Sequence, residues 1–265
     1  DPMIISRIIK PESAVYKTLS TFSEKLDRLM KLKPLSWFAV WIMMTSGTSA
    51  QQAMSDRYIY WDMSLAGVGL ITLLIVTVIT TIIFKKEKIS FTNIDFSLTF
   101  IIHHIIFALV LFMTGWGWLS WLNGDFFVTL KHFSPYGLVY ISVLLVYQID
   151  LDLIPEKGYQ PGKGLIAVCF LLMLAGTLIG IRFDDPVIST VAAVIAPFYL
   201  IAIVFPEHKR HIERARIYPV FIAAMFVSVR LPWFLIPLAI LFFGLRTYHY
   251  FRYNIIFPTF AVDHD

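Results

Sequence analysis

One cysteine, Cys169, is all the thiol chemistry this 265-residue chain offers. It stands inside an apolar run, so a disulfide framework and a cysteine metal site are both excluded, and it reads as a small core side chain. Charge is scarce too. Only 15% of residues are Asp, Glu, Lys or Arg, against 58% hydrophobic, and the mean hydropathy is +0.72. Soluble globular domains do not have such a composition. Glycine-rich nucleotide loops, a metalloprotease histidine helix and a serine nucleophile elbow are missing. No repeat relates the first half of the chain to the second, which argues against an inverted-repeat carrier.

What is present is hydrophobic length. Runs able to cross about 30 Å of hydrocarbon occupy roughly 35–53, 61–84, 97–121, 136–154, 164–182 and 187–205. The stretch Ile217–Tyr250 is interrupted by Arg230-Leu231-Pro232-Trp233 and reads as a short helix, a turn and a last helix. A single kinked span is the alternative there. The expected fold is all-α: a polytopic integral membrane bundle of eight transmembrane helices in one domain, 34–253. An N-terminal segment, 1–33, precedes it, and a tail, 254–265, follows. Asp1-Pro2 read as an added scar before a natural start at Met3, and no signal peptide follows.

From Pro11 to Leu32, Val15, Leu19, Phe22, Leu26, Leu29 and Met30 recur at helical spacing among Lys17, Glu24, Lys25, Asp27, Arg28 and Lys31. This pattern suits an amphipathic helix lying in the headgroup layer of the lipid bilayer, with a partner-binding helix as the rival. Charge placement then orients the bundle. With eight spans and a cytoplasmic N-terminus, eighteen Lys and Arg fall inside, and Arg57, Lys131, Arg182 and Arg230 fall outside. Both termini are therefore expected in the cytoplasm of a cell (inner) membrane. The net charge of +4 reads as topology, so nucleic acid is not an expected partner.

Trp116, Trp118 and Trp121 at the end of the third span, Trp61 at the start of the second and Trp233 at the eighth read as interfacial anchors. The string Trp116 to Asp125 also resembles the tryptophan-rich loop of haem-handling proteins of cytochrome c maturation. That family needs histidines in flanking outer loops, and 54–62 and 182–187 contain none. His103 and His104 are consecutive, so they point about 100° apart on a helix and cannot clamp one metal from a single face. A hydrogen bond between helices is the expected role of one of them. A bis-histidine haem would need His249 as partner. His208 and His211 fall in a basic, solvated loop.

The distinctive stretch is Tyr147-Gln148-Ile149-Asp150-Leu151-Asp152, continuing to Glu156-Lys157-Gly158. Carboxylates at the end of an apolar helix cost about 3 kcal/mol near hydrocarbon unless hydrated or paired. Asp150, Asp152 and Glu156 are candidate ligands for Mg²⁺, which takes a few carboxylate oxygens and bridges to diphosphate. Lys157 and Lys163 are candidates for the remaining phosphate charge. No ionisable group occupies the middle of the fifth to seventh spans, which argues against a proton pump. Pairing of Asp150 and Asp152 with Lys157, Lys163 or the basic loop after the sixth span, simply pinning the helix end, is the competing account.

Gln148 to Gly158, together with Lys33-Pro34-Leu35-Ser36-Trp37, resembles the UbiA-type intramembrane prenyltransferases. The resemblance implies a cytoplasm-facing enzyme that binds an isoprenoid diphosphate through Mg²⁺. That family carries a second aspartate motif, and the corresponding stretch here, Thr80 to Lys86, has no aspartate. Two alternatives remain open: a non-catalytic subunit of a membrane complex with partner membrane subunits, and a small-solute transporter. Thr45-Ser46-Gly47-Thr48-Ser49-Ala50-Gln51-Gln52 is too polar for lipid, so it must face other helices, water or a partner.

Overall fold

Backbone N–H and C=O groups in hydrocarbon must be satisfied within the protein, which limits a chain of this composition to helices or a closed barrel. The computed structural model describes residues 3–30, 35–86, 97–117, 126–147, 149, 162–205 and 209–256, and among them it is entirely helical. Two N-terminal helices, α1 (Ile4–Ile8) and α2 (Ala14–Met30), precede eight long ones. These are α3 (Leu35–Ser55), α4 (Ala66–Lys86), α5 (Leu98–Trp116), α6 (Phe126–Val146), α7 (Lys163–Arg182), α8 (Pro186–Val204), α9 (Lys209–Arg230) and α10 (Leu235–Tyr253). A 3-10 turn, Pro232–Phe234, joins the last two. Among the described residues, five stretches are long and apolar enough to cross a membrane: Ala66–Ile83, Leu98–Trp116, Lys163–Arg182, Pro186–Val204 and Pro232–Tyr253. The chain is accordingly read as a polytopic membrane protein.

Polar residues account for two departures from the expected boundaries. The fourth span was expected at 136–154, but α6 runs from Phe126 to Val146. Lys131 and His132 look like the wet flank of a span. Here the Lys131 ammonium sits 4.7 Å from the Phe183 ring centre, and the His132 ring packs between Trp116 and Phe183. His132 is buried among aromatics, and Lys131, though exposed, rests its ammonium over a ring, so the helix begins a full turn before them. The second departure is at 209–216, expected as a loop. It forms the first turns of α9, because Ile212 and Ala215 are fully buried against the bundle while Arg210, His211, Glu213 and Arg214 around them stay nearer the surface.

The tightest contact joins α3 and α5. A Cβ on Gly47 would lie 1.9 Å from the Phe112 carbonyl oxygen, and one on Gly115 would lie 1.7 Å from that of Met44. Only glycine at both crossing points lets the two backbones touch. Thr48 Oγ1 donates to Gly115 O at 2.8 Å, and Thr45, Ser46, Ser49 and Gln52 are buried in the same region. The polar half of α3 therefore packs inside its own bundle.

Two tryptophans depart from the expected aromatic belt. Trp116 is 1% exposed, stacked 5.9 Å from Phe112, and Trp233 is wholly buried against Gly69. Each lies near a helix end, as the belt requires, but on the face turned to neighbouring helices. Trp61 is exposed and precedes α4, which starts at Ala66. Trp118 and Trp121 lie outside the described residues.

Candidate functional site

The helix directions follow from their contacts. His104 of α5 meets Tyr140 of α6, and Trp116 of α5 meets His132 of α6, so the two run antiparallel. One end of the bundle thus gathers the start of α5, the end of α6 and the first turns of α7 and α9. Asp150, Asp152, Glu156 and Lys157 belong to the connection from α6 to α7 at this end and lie outside the described residues, as do Asp95 and His208.

The foot of that connection is well defined. An α-helix ends with unpaired carbonyls and a partial negative charge, both of which a guanidinium can satisfy. Arg216 of α9 does so for α6. Its Nε donates to Val146 O at 3.2 Å, and its Nη2 donates to Tyr147 O at 3.4 Å and to Ile149 O. Its Cζ sits 5.2 Å over the Tyr147 ring, and Ile149 is buried beside it. Arg216 on the first turns of α9 thus holds the end of α6 through backbone carbonyls; the expected pairing of Asp150 and Asp152 with basic residues lies outside the described residues. Replacing Arg216 with Met should fray this turn. Charge-assisted bonds of this kind contribute about 1.5–3 kcal/mol, so amide exchange at Tyr147 and Ile149 should accelerate at least tenfold. Unchanged exchange there would show that Arg216 does not hold the turn.

Cationic groups for which no ion pair is seen among the described residues collect at this end. Lys163 opens α7 and is exposed, and Arg210 is exposed on the first turn of α9. The Nε atoms of Arg214 on α9 and of Arg246 on α10 are buried and have no hydrogen-bond partner among the described residues. Arg246 Cζ lies 5.3 Å over the Phe242 ring. A buried donor left unpaired costs about 1–3 kcal/mol, more when charged, and an anion would relieve that cost.

The histidine pair divides. His104 is buried, with Nδ1 3.1 Å from the Tyr140 hydroxyl and its ring 4.1 Å from that of Phe100, whereas His103 is exposed. His249 stacks loosely against Tyr248 and Tyr253. Among the described residues no three His, Cys, Asp or Glu side chains converge as a metal site.

The opposite end carries a polar cluster that the sequence reading did not single out. Asp185, 2% exposed, caps α8 by accepting from Val187 N at 3.0 Å and Ile188 N at 3.3 Å, and its Oδ2 accepts from the Tyr136 hydroxyl at 2.8 Å. Arg230, fully buried, donates to Asp56 O at 3.4 Å and Arg57 O at 2.9 Å and lies 4.9 Å over the Tyr60 ring. Asp62 accepts from Ser64 N and Oγ at 2.8 and 2.9 Å and from Gln52 Nε2 at 2.7 Å. Those bonds, the Ser64 ones foremost, hold its carboxyl below the usual carboxylate range. Together with the Arg57–Asp184 ion pair, they strap the loop between α3 and α4 across this end. An aspartate directly before a proline and an apolar run signals a helix cap, so Asp185 was legible in outline. Arg230 was visible only as an interruption.

No protein-family model, no curated protein and no solved structure matches this chain. The functional reading therefore rests on the residues alone.

Proposed function

We propose that this protein is a membrane enzyme acting on a lipid or isoprenoid phosphate at the end of the bundle where α6 finishes. The observation that carries the reading is the pair of buried guanidinium nitrogens, Arg214 Nε and Arg246 Nε, without acceptors among the described residues, at the end where the Asp150 connection is anchored. An anionic phosphate group satisfies such donors, and Lys163 on the first turn of α7 adds charge and a helix N-terminus. Asp150, Asp152 and Glu156 offer only carboxylate oxygens, the donors Mg²⁺ prefers. When bound, Mg²⁺ would supply charge neutralisation at the phosphate, with Lys157 and Lys163 sharing the remainder. All eight long helices cross the bilayer in this reading. The excess of Lys and Arg at this end puts it in the cytoplasm together with both termini.

The polar face of α3 favours this reading over its rivals. It had been the feature suggesting a partner subunit or a permeation path, and most of it is buried within the chain, Thr48 bonding to α5 and Gln52 to Asp62. The test is calorimetric titration of farnesyl diphosphate onto the protein in nanodiscs, with and without Mg²⁺. Binding should require Mg²⁺, and Asp150→Asn should weaken it at least tenfold, about 1.4 kcal/mol. Equal affinity for the wild type and the variant would overturn the assignment.

A further inference from the structure

The N-terminal helices have two different apolar faces, which helical spacing in the sequence merges into one. Met3, Ile5, Ile9, Tyr16 and Leu19 pack on Tyr250, Phe251 and Ile256 at the end of α10. Polar bonds fasten the same contact: Tyr16 Oη donates to Tyr250 O at 3.1 Å, Tyr248 Oη donates to Asp27 Oδ1 at 2.8 Å, and Arg252 holds Asp27 at 3.1–3.2 Å. Ile4, Ile8, Val15 and Phe22 remain exposed, Phe22 at 56%.

Depth and charge say what covers them. The apolar stretch Pro232–Tyr253 crosses the membrane as α10, and α2 is bolted to its last turns, so α2 sits at the level where that span leaves the hydrocarbon. Val15 and Phe22 are seven residues apart and so within about 20° on the helix, and Lys25 follows about 60° round from Phe22. Residues 3–33 hold seven Lys and Arg against Glu12, Glu24 and Asp27. Arg252 already neutralises two of those acids, lying 3.5 Å from Glu24 and 3.1 Å from Asp27. Exposed Lys25 flanks that apolar edge, and exposed Lys10 and Lys17 add to the excess of positive charge.

We infer that α1 and α2 form a binding site for anionic phospholipid headgroups, with Val15 and Phe22 seated among the acyl chains and Lys10, Lys17 and Lys25 on the phosphates. This is independent of the enzymatic reading and of the Asp150 connection.

Cys169 is fully buried, so Phe22→Cys gives a single accessible thiol for an environment-sensitive dye. The labelled protein is placed in nanodiscs of phosphatidylcholine alone or mixed with phosphatidylglycerol. Because α2 is fastened to α10 at this depth, brominated acyl chains should quench the dye in both bilayers, and in the mixture quenching should be stronger when the bromines are on phosphatidylglycerol than on phosphatidylcholine at equal mole fraction. Each Lys→Gln change at 10, 17 or 25 should lower that preference about fivefold, the equivalent of about 1 kcal/mol per basic residue. These side chains are exposed, and an unchanged size-exclusion profile verifies folding of each variant. Equal quenching by the two brominated lipids in the mixture would overturn anionic recognition. A dye facing water in both would overturn the site altogether and assign the face to a protein partner.

Discussion

Alanine at Gly115 should destabilise the bundle by about 3 kcal/mol, at the upper end of overpacking penalties. The new methyl would meet the Met44 carbonyl oxygen at 1.7 Å, with Thr48 N at 3.1 Å behind it. Both are backbone atoms and cannot rotate aside, so α3 must back away from α5. That movement stretches the bond from Thr48 to the Gly115 carbonyl and opens the packing of Phe112 and Trp116. Gly47→Ala should behave alike, because its methyl meets the Phe112 carbonyl. Gly67 and Gly244 have nothing within 4 Å of an added Cβ. Alanine there should be neutral or stabilising by up to about 1 kcal/mol through helix propensity. Thermal unfolding in detergent, read by size-exclusion, distinguishes the two pairs. A Gly115→Ala variant as stable as Gly67→Ala would refute the close crossing.

Asp185→Ala should cost about 3–5 kcal/mol, the penalty for breaking a buried charge arrangement. It removes the cap on α8, the acceptor for Tyr136 and the negative charge that acts on buried Arg230. Asp185→Asn keeps an acceptor oxygen for the cap, while its amide NH2 can only donate to the Tyr136 oxygen, so the charge and the acceptor for the Tyr136 hydroxyl are lost. It should therefore be milder than Ala by about 1–2 kcal/mol. Equal losses in the two variants would assign the whole effect to the charge and the Tyr136 acceptor. If both unfold like the wild type, the cluster does not hold this end of the bundle.

The proposed chemistry and these two predictions lie at opposite ends of the molecule, so they fail separately. Loss of the Asp185 cap loosens the ends of α6 and α8 near Arg230. It leaves Arg216 on the α6 terminus and the two unpaired guanidinium nitrogens in place.

Much of the architecture was legible because it follows from local quantities. The segments expected at 164–182 and 187–205 appear as Lys163–Arg182 and Pro186–Val204, since uninterrupted apolar runs leave the backbone no alternative to a helix. The break at Arg230-Leu231-Pro232-Trp233 appears as the 3-10 turn, because a proline there lacks the N–H that would continue α9. Misplaced boundaries occurred wherever a polar residue was taken to mark water. His132 is sheltered by aromatics from other segments, and the basic residues of α9 ride on a helix whose opposite face is buried.

By itself the sequence determined that the chain is helical and membrane-spanning, because composition and run length set the solvent each segment tolerates. It also determined which residue types could hold a phosphate or a metal. Only the tertiary structure decided which face of each helix meets another. That choice turned Trp116 and Trp233 from anchors into core, hid the polar half of α3, set Arg216 on the end of α6, and divided the stripe of α2 between a packed face and an exposed one. The reason is geometric. Helical spacing specifies angles around one axis, whereas the partner across the groove comes from a segment tens or hundreds of residues away, and nothing in the local pattern names it.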